Sequence, residues 1–220
     1  MSARFWAAFC LFSIPVVMAG PSTGGKTTVS LRLRSGALSG TTFQEARKQL
    51  VILMNRVGLD AQWEDPASYR DVTGYTIVLD LEGDCSVPAH AEAGQIPEGT
   101  PLGGTAIADS HLLPFVNVNC NTLSRLMAPF LADQPLAFRE FVFGRALGRV
   151  LAHELYHIVT QTEDHVESGV AKARFSAVDL MKARFEFDDQ ALNRFRASES
   201  APEDTDGTLA SVAADDAAGK

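Results

Sequence analysis

The chain has 220 residues, 19 Lys+Arg against 27 Asp+Glu, a formal net charge of −8 and 46% hydrophobic residues. That balance suits one folded domain with tails and excludes a collagen-like, mucin-like or wholly disordered chain. It also argues against nucleic acid as a partner. Residues 198–220 hold six acidic residues against Lys220 alone and show no apolar periodicity, so a nearly neutral domain is expected to end in a disordered acidic tail.

Residues 1–19 read as a signal peptide. Arg4 is followed by an apolar run over 5–17 and by Val17-Met18-Ala19 before Gly20, the pattern of a small-residue cleavage site. The run falls short of the ~20 apolar residues a spanning helix needs. The expected domain therefore covers residues 20–197, secreted or periplasmic, with no membrane association after cleavage. Cys85 and Cys120 then remain. Export favours a disulfide between them, and two separate buried thiols are the alternative. The chain has no C-x-x-C, which removes a thiolate zinc site or a thioredoxin-type pair.

In chain order, residues 28–34 alternate Val29, Leu31 and Leu33 with polar residues, the pattern of a half-buried strand. Apolar residues at Phe43, Ala46, Leu50, Leu53, Met54 and Val57 form a helical stripe that Gly58 ends. Residues 75–81 are apolar on both faces and predict a central strand. Residues 83–104, which include His90, predict an irregular excursion, and two short strands follow at 106–108 and 115–118. A helix is expected over 123–131, and Pro135 in the first turn opens a long helix reaching about residue 159. A last helix starts at Ser176, where Asp179 completes a capping box. This order predicts an α+β fold: a small mixed sheet backed by helices, one of them long. Gly144 and Gly148 lie one turn apart in that helix and predict close packing against the sheet. His90 and His111 fall in loop regions and read as surface histidines.

The long helix carries His153-Glu154-Leu155-Tyr156-His157, an H-E-x-x-H pattern. One turn apart on one face, His153 and His157 can reach a single ion. Glu154 sits ~100° round the helix, where its carboxylate can take a proton from an attacking water instead of binding the metal. The alternative is a pair of core histidines with local hydrogen bonds. The flanking Phe138, Phe141, Val142, Ala146, Val150 and Leu151 weigh against it, because unpaired polar groups in such company cost several kcal/mol. A third ligand is expected at His165, eight residues on, where the polar 161–164 let the chain turn back. Glu163, Asp164 and Glu167 are competing oxygen ligands, or hydrogen-bond partners for a ligand imidazole's other nitrogen. Tyr156 reads as packing rather than as a polariser of substrate.

His153-Glu154-x-x-His157 with His165 and the following Ser168-Gly169 resembles the zincin metalloproteases, on the side of the three-histidine metzincins. Within them it looks like short secreted bacterial proteins of predicted metalloprotease type. The resemblance is strong over residues 147–180. It departs at Thr160, which stands where metzincins place a glycine, in the longer spacing to His165, and in Gly169-Val170-Ala171, where they carry a methionine turn. It implies a zincin-like fold and a zinc-dependent peptidase, an endopeptidase acting on peptide or protein substrates. In that enzyme His153, His157 and His165 hold Zn2+ and Glu154 is the general base. The alternative function is a non-catalytic, zinc-stabilised extracytoplasmic interaction protein, marked by a fourth protein ligand such as Glu163 or Glu167.

A rival motif, Gly20-x-x-x-x-Gly25-Lys26-Thr27, fits the phosphate-loop pattern. Such a loop must lead into a helix whose N-terminus holds phosphate. The alternating strand after Lys26 argues against it.

Overall fold

Strand β1 (Thr27–Ala37) is followed by helix α1 (Gly40–Arg56), strands β2 (Leu59–Trp63), β3 (Tyr75–Asp84), β4 (Gly103–Ala108) and β5 (His111–Asn119), and helices α2 (Cys120–Leu131), α3 (Leu136–Thr160), α4 (Ala177–Met181) and α5 (Asp189–Glu199). This computed structural model describes residues 27–64, 75–87, 96–97 and 99–200. The expected signal peptide over residues 1–19, residues 20–26 of the phosphate-loop pattern, His90 and residues 201–220 lie outside them.

The fold is α+β. Five strands form one mixed sheet in the order β2-β1-β3-β5-β4, in which β1 runs parallel to β2 and β3, β3 runs parallel to β5, and only β4 is antiparallel. The expected central strand is β3, in the middle of that order. The register aligns Leu31 with Ile77 and Leu33 with Leu79 on one side of β3, and Leu79 with Val116 and Leu81 with Val118 on the other. That apolar face packs against helices that include α1 and α3 in one core. At the end of β3 the disulfide Cys85–Cys120 ties the sheet to the first residue of α2. Where a phosphate loop would need a helix, Thr27 opens strand β1.

The structure corrects several sequence expectations. Strand β2 was not anticipated, although Leu59, Ala61 and Trp63 alternate; five residues directly after a helix give a weak signal. The final helix is two helices. Helix α4 keeps the capping box of Ser176 and Asp179 but stops at Met181. Two guanidiniums of α3 take the carbonyls at and just beyond its end. Arg149, only 1% exposed, donates to Leu180 O at 2.5 Å and Lys182 O at 2.7 Å, and Arg145 donates to Lys182 O at 3.2 Å. Helix α5 then starts behind its own cap at Asp188 and reaches Glu199, two residues into the expected tail.

Gly144 and Gly148 pack against α1 and not against the sheet. A Cβ at Gly144 would lie 2.6 Å from Thr42 O, and one at Gly148 would lie 2.5 Å from Ala46 O. The two backbones meet there because neither glycine carries a side chain. Gly→Ala in an open helix stabilises by ~1 kcal/mol. Gly148→Ala is expected to reverse that sign and destabilise by about 1–2 kcal/mol, since overpacking a filled contact costs ~1–3 kcal/mol. Denaturant unfolding measures it; a rise in stability would remove the close-packing account.

Candidate metal centre

Helix α3 is 25 residues, ~38 Å of helix. Almost every residue from Val142 to Ile158 is buried, so His153, Glu154 and His157 are presented by the packed part of the helix, while Leu136, Phe138 and Phe141 in its first turns are exposed. Its C-terminus is closed by Gln161 in the left-handed region (φ 47°). The Gln161 side chain bonds both backbone groups of Leu112, donating to its carbonyl at 3.1 Å and accepting from its N–H at 3.3 Å. The end of α3 is thus fastened to the start of β5, where Leu112 pairs with Ile107 of β4.

His153 is 7% exposed and His157 7%. The Nδ1 of His153 lies 2.8 Å from Val170 O and that of His157 lies 2.6 Å from Thr162 O. A carbonyl only accepts, so both Nδ1 atoms carry the proton and both Nε2 atoms carry a lone pair. Those two Nε2 atoms face one another at 3.1 Å. Neither can donate to the other, so the pair is suited to a shared cation rather than to a mutual hydrogen bond. Burial first, then the neighbouring His157, pushes His153 down to about 3, and burial also lowers His157 and His165. All three imidazoles are therefore neutral near pH 7, the form that ligates a metal.

His165 completes the group. Its ring stacks on His153 with centroids 5.2 Å apart and meets His157 edge-on at 4.8 Å. One ligand atom from each of the three histidines lies within 4.8 Å of the others, close enough to hold one metal ion. Unlike the two helix histidines, His165 is exposed. Its segment is fixed from behind: Tyr156 Oη donates to Asp164 O at 3.1 Å, and Arg194 of α5 donates to the same carbonyl at 2.9 Å. Tyr156 is thus the packing residue expected, with its ring against Phe187 and Phe195, and it also holds the turn that carries His165.

The expected role of nearby carboxylates as imidazole partners is not what orients the helix histidines. Backbone carbonyls of Thr162 and Val170 do that, and neither left a signal in side-chain identity. Val170 belongs to the Gly169-Val170-Ala171 segment. Gly169 sits at φ +70°, and a side chain there would collide with Glu186 O. Val170 N–H bonds that same carbonyl at 3.0 Å, which aims the Val170 carbonyl back at His153. The Phe175 ring then closes on His153 edge-on at 5.1 Å.

Glu154 is 5% exposed, and its Oε2 accepts from Thr105 Oγ1 of β4 at 3.0 Å. Burial pushes its carboxyl up to about 7, with the Thr105 hydrogen bond a smaller opposing effect. A Cβ at Gly103 would lie 2.9 Å from Glu154 Oε1, so a glycine lets the edge strand cross beside the carboxylate. Thr105 and Gly103 were not singled out in the sequence. The three histidines, Glu154, residues 99–105 and Arg174 with Phe175 line one cleft of about 330 Å³. Of the carboxylates weighed as oxygen ligands, Glu163 lines this cleft, and the described cluster that converges on one point is the three histidines. His111 is exposed at the start of β5, as expected of a surface histidine.

No model of a known protein family matches the chain, and neither does any curated protein. Among the described residues no helix is long and apolar enough to cross a membrane.

Proposed function

We propose that the protein is an exported zinc metallopeptidase of zincin type. The observation that carries this reading is the pairing, in one cleft, of three histidines close enough to hold a metal with a buried carboxyl group, Glu154, that is not among them. Three imidazoles are the donor set of catalytic zinc sites that keep an exchangeable fourth position. Zinc bound there supplies Lewis acidity, which makes water a nucleophile near pH 7 and polarises a carbonyl.

The remaining steps fall to the chain's own residues. Glu154, held by Thr105, takes a proton from water as the water oxygen bonds to the peptide carbonyl carbon. It returns that proton to the amide nitrogen as the C–N bond breaks, leaving a carboxylic acid and an amine, and the acid's proton passes to the amine to give a carboxylate and an ammonium. Strand β4 has β5 on one side only, so its outer edge offers unpaired backbone groups to an extended peptide beside Glu154. Export is supported by the N-terminal segment pattern and by the disulfide, which persists in oxidising compartments.

The purified chain is expected to hold one zinc and to hydrolyse a denatured protein, with a chelator removing both and added zinc restoring both. Metal content is read by elemental analysis and cleavage by fragment appearance. A chain that holds no zinc even after addition overturns the metal site. A zinc-loaded chain that cleaves nothing overturns the enzyme and leaves the interaction-protein alternative.

A further inference from the structure

We propose that Arg174 is a specificity-determining residue that makes the cleft select peptides carrying a carboxylate. The inference rests on the peptidase reading and names its substrate class. Arg174 lines the same cleft as Glu154 and the three histidines, and it is exposed. It directly precedes Phe175, whose ring touches His153. Its guanidinium lies against the chain leading into β4: the Cβ position of Gly99 is 3.5 Å from both its Cζ and its Nε. Gly99 sits at φ +85°, a conformation that favours glycine, so the notch beside the guanidinium is kept free of a side chain.

The other arginines near the site are occupied. Arg149 and Arg145 cap α4, and Arg194 holds the turn before His165. Among the described residues, Arg174 has no carboxylate or carbonyl partner. A guanidinium on the wall of a cleft carries a planar fork of donors that matches a carboxylate, which it can bind through two parallel hydrogen bonds. A peptide laid along β4 passes it. The carboxylate has two sources, an Asp or Glu side chain or the free C-terminus of a short peptide, and both present the same chemistry.

The test uses the full zinc-loaded chain and matched fluorogenic peptides: Glu against Gln at each position around the cleaved bond, and free acid against C-terminal amide. The carboxylate member of the effective pair is expected to show about tenfold higher kcat/KM, the scale of one charge-assisted contact. Arg174→Ala should bring that ratio close to one, Arg174→Lys should keep part of it, and salt should shrink it. Which pair responds identifies the source. Binding of the same peptides to Glu154→Gln protein, by fluorescence anisotropy, gives a readout without turnover. Arg174-dependent preference in binding with no cleavage by the native chain supports the subsite and overturns the peptidase. Cleavage whose carboxylate ratio is flat, or is unchanged in Arg174→Ala, overturns the subsite and leaves the peptidase. A native chain that neither binds nor cleaves these peptides overturns both.

Discussion

Glu154→Gln is expected to lower hydrolysis by at least ~10²-fold, the usual worth of a general base, while zinc content and thermal stability stay unchanged. The amide keeps the shape of the carboxyl and can still accept from the Thr105 hydroxyl, which the structure places 3.0 Å away. It cannot take a proton. Folding should not suffer, because burial already disfavours a charge here and pushes the Glu154 carboxyl up to about 7. Loss of kcat with KM held would mark an interaction made in the transition state alone. Loss of zinc in this variant would instead make Glu154 a ligand, and an unchanged rate would move the base elsewhere in the cleft.

What could be read from the sequence follows the range of the forces involved. Helix α3 and the pair His153 and His157 were legible because helix period and ligand spacing are both local. Strands β1 and β3 were legible through their apolar patterns. Helix α4 was legible only at its start, where Ser176 and Asp179 cap within four residues. The carbonyls at its end are taken by Arg149 and Arg145, about thirty or more residues earlier in the chain, which no local pattern marks. The partner of Gly148 was misread for a related reason: two glycines one turn apart announce a close approach, but they do not say to what. Around the site, Thr105 reaches Glu154 across 49 residues, and Val170 and Thr162 act through carbonyls that every residue has. His165 stood between these cases, with its residue type visible and its convergence on the helix pair set by a turn that Tyr156 and Arg194 hold from behind.

His165→Ala is expected to weaken zinc binding by more than the ~10–100-fold that loss of a ligand's hydrogen-bonded partner costs. His153 and His157 come from one rigid helix and fix two directions, so a stable site needs a third donor from another segment. The structure brings the His165 ring to 5.2 Å from that of His153 and 4.8 Å from that of His157. Because His165 is exposed, its removal opens no core cavity, and a drop in affinity without a drop in stability of the metal-free protein would be a ligand effect. His153→Ala is the harsher comparison, since it also leaves the Val170 carbonyl inside without its donor. Glu163→Ala, Asp164→Ala and Glu167→Ala should each change zinc affinity only a few-fold. Asp164 in particular contributes its backbone carbonyl to the turn, and that survives the substitution. Zinc titration with a competing chelator ranks the five variants. A larger loss at one of the carboxylates than at His165 would make the site two histidines and one carboxylate, with His165 left as a ring packed beside it.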